Sequence, residues 1–392
     1  MLIYLFIFLA SIGALAYSQG GIYAESKKKE KDVLIVFMLG LALFVGMSDM
    51  LGGYDRYIYA EFFDDTADIV SHGQQWNTAA VFNQYYSEQG YGWFNVAVAL
   101  VSNNRYIFIF LTTIIIYFLL YLSIKDYCSN YPFAIILFLG LWFFFTFTYL
   151  RQILGATIVW LAIKYIVERK LWKFLLICLI AYKFHNSAIV VVPLYWIPIK
   201  KYSSSQVMTV MGIALFLGLT GVPTALFSAY GEVDAERAGV AGNIIGFRMA
   251  YMIEAAFFLY LILSKYNEIP DKPIVLVMLN MALIFCAILL FFIRNENGGR
   301  LSWYYMIGVI STITYLCTHG TRVKNYSNLM IVVCFYLFFR ILSSWGMQIS
   351  PYKTFFTNGI REGDVIEQLY EYDHGYDEDK FYRPAFRFLD DK

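Results

Sequence analysis

The sequence predicts an all-α integral membrane protein, a polytopic bundle of about twelve transmembrane helices with a large outer loop after the second. Hydrophobic residues make up 59% of the 392 residues and charged residues 15%, whereas soluble domains carry about 25% charged residues. Apolar runs of about 20 residues, the length that crosses a bilayer core, recur along the chain. Basic residues fall in alternate loops, as in multispanning proteins. We therefore expect a membrane domain over residues 1–345, including the outer loop 51–104, and an acidic C-terminal tail over residues 346–392.

The twelve predicted spans follow from the apolar runs. They lie near residues 1–18, 33–50, 105–124, 132–149, 152–168, 171–183, 186–199, 206–223, 248–264, 273–293, 302–318 and 327–345. The first run has no basic segment before it, which favours a retained helix over a signal peptide. The sixth and seventh runs are short and flank Phe184 and His185, which leaves a tight hairpin or a re-entrant turn open. In the outer loop, residues 91–101 are too short to cross and predict an interfacial helix.

The charges in the loops predict the orientation. With the N-terminus outside, every cytoplasmic loop is basic and almost all of that charge is lysine. Both termini then lie outside. The outer side instead carries Arg56, Arg105, Arg151, Arg237, Arg248, Arg294 and Arg300, with Lys183 as the exception. Because the planar guanidinium suits bidentate contact with phosphate or carboxylate, this group predicts an anionic ligand. The alternative is that single arginines anchor the interface or pair with Asp64, Asp65, Glu232 and Asp234.

Several other functions have no support in the sequence. The five cysteines lack metal-binding spacing, so we expect no disulfide, no zinc and no metal at the site. Phosphate-binding and dinucleotide motifs are missing, which argues against nucleotide-driven transport and a cofactor. No basic, aromatic-rich face predicts a nucleic-acid partner. The tail after Ser350 carries ten acidic and six basic residues, and its recurring Tyr and Phe predict partial order without a motif.

The outer loop combines acidic residues with aromatic rings. Its residues of interest are Gly52, Gly53, Tyr54, Asp55, Arg56, Tyr57, Tyr59, Glu61, Trp76, Tyr85, Tyr86, Glu88 and Trp93. Rings stack on sugar faces and carboxylates accept hydrogen bonds from hydroxyls, so this composition suits carbohydrate. An aromatic belt at the headgroup level with a solvated loop explains it equally well.

Arg151 stands at the predicted outer end of two strongly apolar helices. Leaving its charge unpaired there would cost several kcal/mol. The adjacent spans contain no Asp or Glu except Glu168, at the far end of the second one. We therefore favour a substrate phosphate over a protein carboxylate as its partner.

The segment Ala181–Ala188 contains Lys183 and His185 next to two residues that can cap a helix, Asn186 and Ser187. A capped helix start adds partial positive charge, which suits anion binding beside an imidazole that can transfer a proton at neutral pH. A structural role for His185 remains the alternative.

A third basic feature is the turn between Arg294 and Arg300, which encloses residues 295–299. Such a turn can close over a headgroup. The alternative is a plain helix connection with arginines at its rims.

These residues resemble the EpsG family of multispanning proteins, which is related to Wzy-type exopolysaccharide and O-antigen polymerases. The resemblance covers most of residues 1–345. It is carried by Gly53-Tyr54-Asp55-Arg56-Tyr57 with Tyr59, by Arg151-Gln152 after an aromatic helix, by Phe184-His185-Asn186-Ser187-Ala188, and by Arg300 to Tyr305. The chain departs from the family pattern where Gly46-Met47-Ser48-Asp49 replaces an expected arginine and where the Asp-Tyr motif reads Asp-Arg-Tyr at Asp55.

The resemblance implies a polysaccharide polymerase at the outer face of a bacterial cytoplasmic membrane. A growing chain on undecaprenyl diphosphate would be the donor, and a hydroxyl of a lipid-linked repeat unit the acceptor. On this hypothesis Arg151, Arg294, Arg300 and Lys183 hold the diphosphate. His185 activates the acceptor hydroxyl or donates to the leaving phosphate, and Asp55 is the competing base. The hypothesis assigns the contacts with the saccharide to Arg56, Tyr57, Gln152 and Glu88.

The expected partners are the bilayer, the lipid-linked oligosaccharide, and chain-length regulator and flippase proteins. Outer arginines suit this reaction because negative charge develops on the diphosphate as the glycosidic bond breaks. A transporter or flippase of lipid-linked glycans is the main alternative, although no internal repeat between the two halves supports it. A ligase or another enzyme acting on lipid-linked sugars is a second alternative.

Overall fold

The computed structural model describes residues 1–19, 23–53, 55–225, 246–295 and 298–389. In these parts the fold is helical, and its one strand-like contact is an antiparallel bridge between Ser48 and Thr354. The α-helices are α1 (Leu2–Ser18), α2 (Tyr23–Gly46), α3 (Asp55–Ser71), α4 (Ala80–Gln84), α5 (Gln89–Ala99), α6 (Arg105–Tyr127), α7 (Tyr131–Leu141), α8 (Phe145–Thr148), α9 (Leu150–Trp160), α10 (Ile163–Val167), α11 (Leu171–Phe184), α12 (Ser204–Thr220), α13 (Met249–Ser264), α14 (Pro273–Phe291), α15 (Met306–Thr318), α16 (Val323–Ser344), α17 (Gly346–Ile349), α18 (Val365–Tyr370) and α19 (Gly375–Glu378). Short 3₁₀ helices cover Trp76–Thr78, Asn186–Trp196, Tyr266–Glu268, Gly298–Tyr305 and Arg387–Leu389. Tyr54, Glu232, Asp234, Arg237 and residues 296–297 lie outside the described residues.

The all-α class is confirmed, but twelve spans are not. Four helical segments are long and apolar enough to cross a membrane, namely Arg105–Tyr127, Leu150–Val167, Pro273–Phe291 and Val323–Ser344. Five more apolar helices are shorter, with 10–17 residues: Leu2–Ser18, Tyr131–Leu141, Asn186–Trp196, Ser204–Thr220 and Met249–Ser264. The chain is therefore a membrane protein with several short or broken helices.

Local sequence explains two of the broken spans. The span predicted near residues 132–149 leaves the helical conformation at Trp142 (φ −139°), so α7 ends before it and α8 begins at Phe145. The span predicted near residues 186–199 is a 3₁₀ helix that contains Pro193. Proline lacks the N–H that continues an α-helix, which explains the tighter and irregular geometry. The first break also allows α9 to start at Leu150, which places Arg151 in a first helical turn.

The expected outer loop 51–104 is largely helical. It contains α3, α4 and α5, and α3 packs against both α5 and α6. The carboxylate of Asp65 accepts from the backbone N–H of Ala80 at 2.7 Å, which fixes the start of α4. Tyr59 and Tyr91 are buried and touch edge to face. A solvated loop therefore does not describe this segment, and an α-helix does form where an interfacial one was expected, over Gln89–Ala99.

A double-glycine turn connects α2 to α3. Gly52 and Gly53 have φ values of +109° and +106°, which side chains with a Cβ rarely adopt. A Cβ on Gly52 would also lie 2.4 Å from the Cβ of Phe147. The Gly52 N–H donates to the carbonyl of Gln348 at 2.9 Å, so the same turn holds the beginning of the tail.

The C-terminal tail is packed onto the bundle around Arg105. This guanidinium is 0% exposed and donates to Asp64 at 2.6 and 2.9 Å and to Glu371 at 2.7 and 2.9 Å. The rings of Tyr376 and Tyr372 lie 4.1 and 4.7 Å from it. Burial raises the pKa of the Asp64 carboxyl, and the Arg105 charge opposes that shift. Arg105 is thus a structural partner of Asp64, the alternative role that the sequence allowed for single arginines.

We expect the substitution Arg105→Met to release the tail. It leaves the carboxylates of Asp64 and Glu371 buried without their cation, which costs about 3–5 kcal/mol. Hydrogen exchange and limited proteolysis of the purified protein would then show exposure after residue 350. The matched control is Arg383→Met, because the Arg383–Asp68 pair is half exposed and such pairs contribute at most about 1 kcal/mol. A tail that stays as protected in the Arg105 variant as in the control would contradict this account.

Candidate functional site

Arg151 forms an ion pair with Glu88, inside a cage of tyrosines. Arg151 is 5% exposed and Glu88 1% exposed. The guanidinium carbon lies 3.5 Å from the centre of the Tyr85 ring, 5.6 Å from that of Tyr91 and 5.7 Å from that of Tyr59. Rings attract the cation by their negative faces, and the carboxylate neutralises it. A charge that would otherwise be costly is thereby accommodated in the apolar bundle.

The sequence favoured a substrate phosphate as the partner of Arg151, whereas in this structure its partner is the Glu88 carboxylate. The adjacent spans have no acidic residue near Arg151, but the carboxylate comes from the segment between α4 and α5, 63 residues earlier in the chain. Glu88, which was expected to bind sugar, is therefore engaged inside the protein. The Nε of Arg151 remains a buried donor without a hydrogen-bond partner among the described residues.

The carboxylate of Glu88 lies between two helix starts. Its second oxygen accepts from the backbone N–H of Asn186 at 3.0 Å, at the beginning of the 3₁₀ helix Asn186–Trp196. Its first oxygen pairs with Arg151 in the opening turn of α9. Helix starts carry partial positive charge, so this position is favourable for an anion. The carboxylate links α9, α5 and the 3₁₀ helix through one charged group.

The cap of the 3₁₀ helix differs from the expectation. Neither Asn186 nor Ser187 provides it; the N-cap is His185, whose Nδ1 accepts from the backbone N–H of Ser187 at 3.4 Å. His185 has extended backbone (φ −155°, ψ 118°), which aims its ring back over the helix start. The hydroxyl of Tyr304 also lies 3.1 Å from Nδ1. Because a backbone N–H can only donate, Nδ1 is an acceptor and the ring proton resides on Nε2.

Arg151 and His185 lie beside one face of α9. Gly155 is one turn after Arg151 on this helix, so both residues face the same way. A Cβ on Gly155 would lie 3.1 Å from the Cβ of His185 and 3.6 Å from the hydroxyl of Tyr304. Tyr304 is fully buried, and its carbonyl accepts from the indole of Trp160 at 2.8 Å. The structure therefore brings two of the expected site residues together across a glycine.

Arg300 adjoins this group through Gln152. The side-chain amide of Gln152 donates to the Arg300 carbonyl at 3.0 Å, and the Arg300 guanidinium donates to the hydroxyl of Tyr149 at 3.2 Å. It also lies 4.5 Å from the centre of the Tyr149 ring. No ion pair of Arg300 occurs within the described ranges. The positive charge of this half-buried side chain thus has only neutral partners there.

Arg294 and Lys183 are placed differently from Arg300. Arg294 donates to the carbonyl of Leu219, at the end of α12, at 3.1 Å, and in the described part of the chain no hydrogen bond connects it to α9. The Lys183 side chain is exposed, while its backbone contacts Gly90: a Cβ on Gly90 would lie 2.9 Å from the Cβ of Lys183. The close approach of α5 to α11 depends on that glycine.

Arg56, Tyr57 and Asp55 belong to the start of α3. Arg56 is 0% exposed and donates to the Ser48 hydroxyl at 2.6 Å and to the Val45 carbonyl at 3.1 Å. Tyr57 is buried as well, so neither residue presents its side chain to a saccharide in this structure. Asp55 is half-buried in the first turn, where the helix start favours its negative charge.

A possible metal-binding group lies elsewhere, on the tail. Ligand atoms of Glu367, His374 and Asp377 lie within 4.8 Å of one another. The Nδ1 of His374 is 2.7 Å from Asp377 and 3.6 Å from Glu367, so a protonated imidazole pairs with both carboxylates. No described contact connects this group to Arg151 or His185.

Sequence reasoning missed one pairing and three residues of the site. The pairing of Glu88 with Arg151 spans 63 residues and has no local pattern. Gly90 and Gly155 matter only through the neighbours that approach them. Tyr304 was visible only as one of several aromatics after Arg300.

These features define a class: a helical membrane protein in which a buried arginine, a half-buried histidine and buried tyrosines lie near the start of one apolar helix. Residues 33–354, most of the chain, match the family model described as EpsG family, and the chain belongs to this family. No curated protein and no solved structure matches it significantly. The family assignment confirms the resemblance and makes the chain an exopolysaccharide-related, polymerase-like membrane protein.

We expect Gly90→Ala to disrupt the site from a distance. The added methyl would press on the backbone of Lys183 and separate α5 from α11, which weakens the Glu88–Asn186 hydrogen bond. Overpacking of this kind costs about 1–3 kcal/mol. Thermal unfolding of the purified protein followed by intrinsic fluorescence would measure the loss.

The matched control is Gly13→Ala, because no atom lies within 4 Å of a Cβ at that position. It should be neutral or slightly stabilising, since alanine favours helix. Equal stabilities of the two variants would show that the contact at Gly90 does not constrain α5.

Proposed function

We propose that this protein is a polysaccharide polymerase that joins undecaprenyl-diphosphate-linked repeat units at the outer face of the cytoplasmic membrane. The observation that carries the proposal is the group at the start of α9, where Arg151 and His185 lie beside one helix face and Arg300 adjoins through Gln152 and Tyr149. Membership in the EpsG family supports the same class of reaction.

The reaction transfers a growing saccharide chain. The acceptor hydroxyl oxygen attacks the anomeric carbon of the donor chain, and the bond from that carbon to the diphosphate breaks. The diphosphate leaves with the electron pair, and the hydroxyl proton passes to a base. Negative charge accumulates on the leaving group, so prepositioned guanidinium groups lower the barrier.

Arg300 is our principal diphosphate ligand. Its charge has neutral partners within the described residues, so an anion gains the full attraction without displacing a carboxylate. Arg151 differs because Glu88 already neutralises it. A diphosphate must either use the available Nε–H or replace the Glu88 carboxylate between the two helix starts. We assign Arg151 the second contact.

The tautomer of His185 favours one of its two expected roles. With Nδ1 accepting from Ser187 and the proton of the neutral ring on Nε2, His185 offers the leaving diphosphate a hydrogen bond and has no free nitrogen to act as a base. The acceptor proton then requires a carboxylate, and we assign that role to Asp55.

The test measures chain extension in membrane preparations, each of which contains one variant of the protein and is supplied with lipid-linked repeat units. We expect Arg300→Gln to slow chain extension by about 10²–10³-fold, the usual effect of removing one transition-state donor. Arg300→Lys should retain part of the activity, because it keeps the charge without the bidentate fork. The matched control is the exposed Arg322, as Arg322→Gln. Product ladders on gels, with mass spectrometry of the lipid-linked pool, give the readout.

Two outcomes would overturn the proposal. An unchanged ladder in both Arg300→Gln and His185→Gln, with normal protein levels, would remove the assigned site. Accumulation of single repeat units on the cytoplasmic face in cells without the protein would favour a flippase, whereas accumulation on the outer face is the result that we expect.

A further inference from the structure

A shallow depression of about 440 Å³, open to the surroundings, lies away from Arg151, between the end of α3 and the middle of α5. It is lined by Gln74, Gln75, Trp76, Asn77 and Trp93. We call this surface the tryptophan shelf. The two indole rings have centroids 6.5 Å apart and planes inclined by 75°, so they line two nearly perpendicular sides of the depression.

The indole ring of Trp93 is held in place by its packing against α4. Trp93 packs edge to face on Phe82, with 5.3 Å between ring centroids. Gly92 allows this packing, because a Cβ there would lie 2.5 Å from the Phe82 ring. Phe82 itself is buried in α4. The indole orientation is therefore set before any ligand arrives, which reduces the entropy lost on binding.

The chemistry of the lining identifies the ligand class. Trp76 and Trp93 are 40% and 51% exposed, so both indole rings are accessible to a ligand. The other three lining residues carry side-chain amides, and none of the five is charged. Amides both donate to and accept from hydroxyls, while indole faces pack on the C–H faces of sugar rings. A phosphate would require a cation and a lipid chain would not require amides.

The position of the tryptophan shelf relates it to the arginine group. Trp93 is five residues after Glu88, about 7.5 Å along a helix axis at about 1.5 Å per residue. Tyr91, between them, has its ring against the Arg151 guanidinium. Tyr91 and Trp93 are two residues apart, so their side chains leave α5 on different faces. A saccharide whose diphosphate end is held near Arg300 and His185 would therefore reach Trp93 by passing over α5.

We propose that the tryptophan shelf is a binding site for the uncharged saccharide portion of the lipid-linked substrate. This inference rests on the proposed polymerase function, and it adds a saccharide subsite to it. The same chemistry fits a single repeat unit and a growing chain. A growing chain held here would stay attached between successive additions, which lengthens the product.

Binding is measured with the full-length protein in nanodiscs and a defined probe. The probe is the cell's own polysaccharide, partially hydrolysed to fragments of one and of several repeat units and labelled at the reducing end. Fluorescence polarisation reports the affinity.

We expect Trp93→Ala and Trp76→Ala each to weaken binding at least ten-fold, and Trp93→Phe to weaken it less because a ring face remains. The matched control is Trp172→Ala, since Trp172 is exposed on another helix. Tighter binding of longer fragments assigns the tryptophan shelf to the growing chain, and equal binding assigns it to the repeat unit.

The failures of the two proposals are distinguishable. If wild-type protein binds no fragment, or if Trp93→Ala and Trp93→Phe both bind as wild type does, the tryptophan shelf is not a saccharide site. The Arg300→Gln effect on extension would then still support the polymerase. If the fragments bind through Trp93 but Arg300→Gln and His185→Gln both extend chains normally, the saccharide site stands and the polymerase assignment fails. Shorter polymer in cells carrying Trp93→Phe, with normal protein levels, is the further result that we expect.

Discussion

The site depends on the neutralisation of one buried guanidinium. Arg151 stands in the first turn of α9, where the helix start is already positive and water is excluded. An unpaired cation there would be too costly, so Glu88 must reach it. That requirement holds the segment between α3 and α6 against the bundle and, through Asn186, fixes the start of the following 3₁₀ helix. The geometry around His185 follows from the same constraint.

A second buried arginine organises the tail in a related way. Arg105 takes one carboxylate from α3 and one from the tail, and tyrosine rings cover its guanidinium. The two arginines differ in what they leave available. Arg105 is saturated by carboxylates, whereas the group around Arg151 keeps a donor on Nε and a neighbouring cation, Arg300, with neutral partners in the described regions. Arg105 therefore has a structural role, whereas Arg151 and Arg300 keep donors that can bind a diphosphate.

The helical class, the membrane character and the family could be predicted from the sequence because they depend on local properties. Apolar composition, loop charge and short motifs such as Phe184-His185-Asn186 need no knowledge of distant contacts. The count of twelve spans was not confirmed. Hydropathy reports only the composition of a segment and does not show where its backbone leaves the α-helical conformation. Trp142 and Pro193 interrupt apolar runs whose composition still looks like continuous helix.

The sequence by itself determined that this is a helical membrane protein of the EpsG family and that arginine, histidine and tyrosine residues were the groups to consider. Only the tertiary structure decided which of them meet. Glu88 and Arg151 are 63 residues apart, Gln152 and Arg300 are 148 apart, and Arg105 and Glu371 are 266 apart. Such pairings arise from the burial of charge and the close approach permitted at Gly90 and Gly155. Both are properties of helices packed in space, and neither leaves a pattern along the chain.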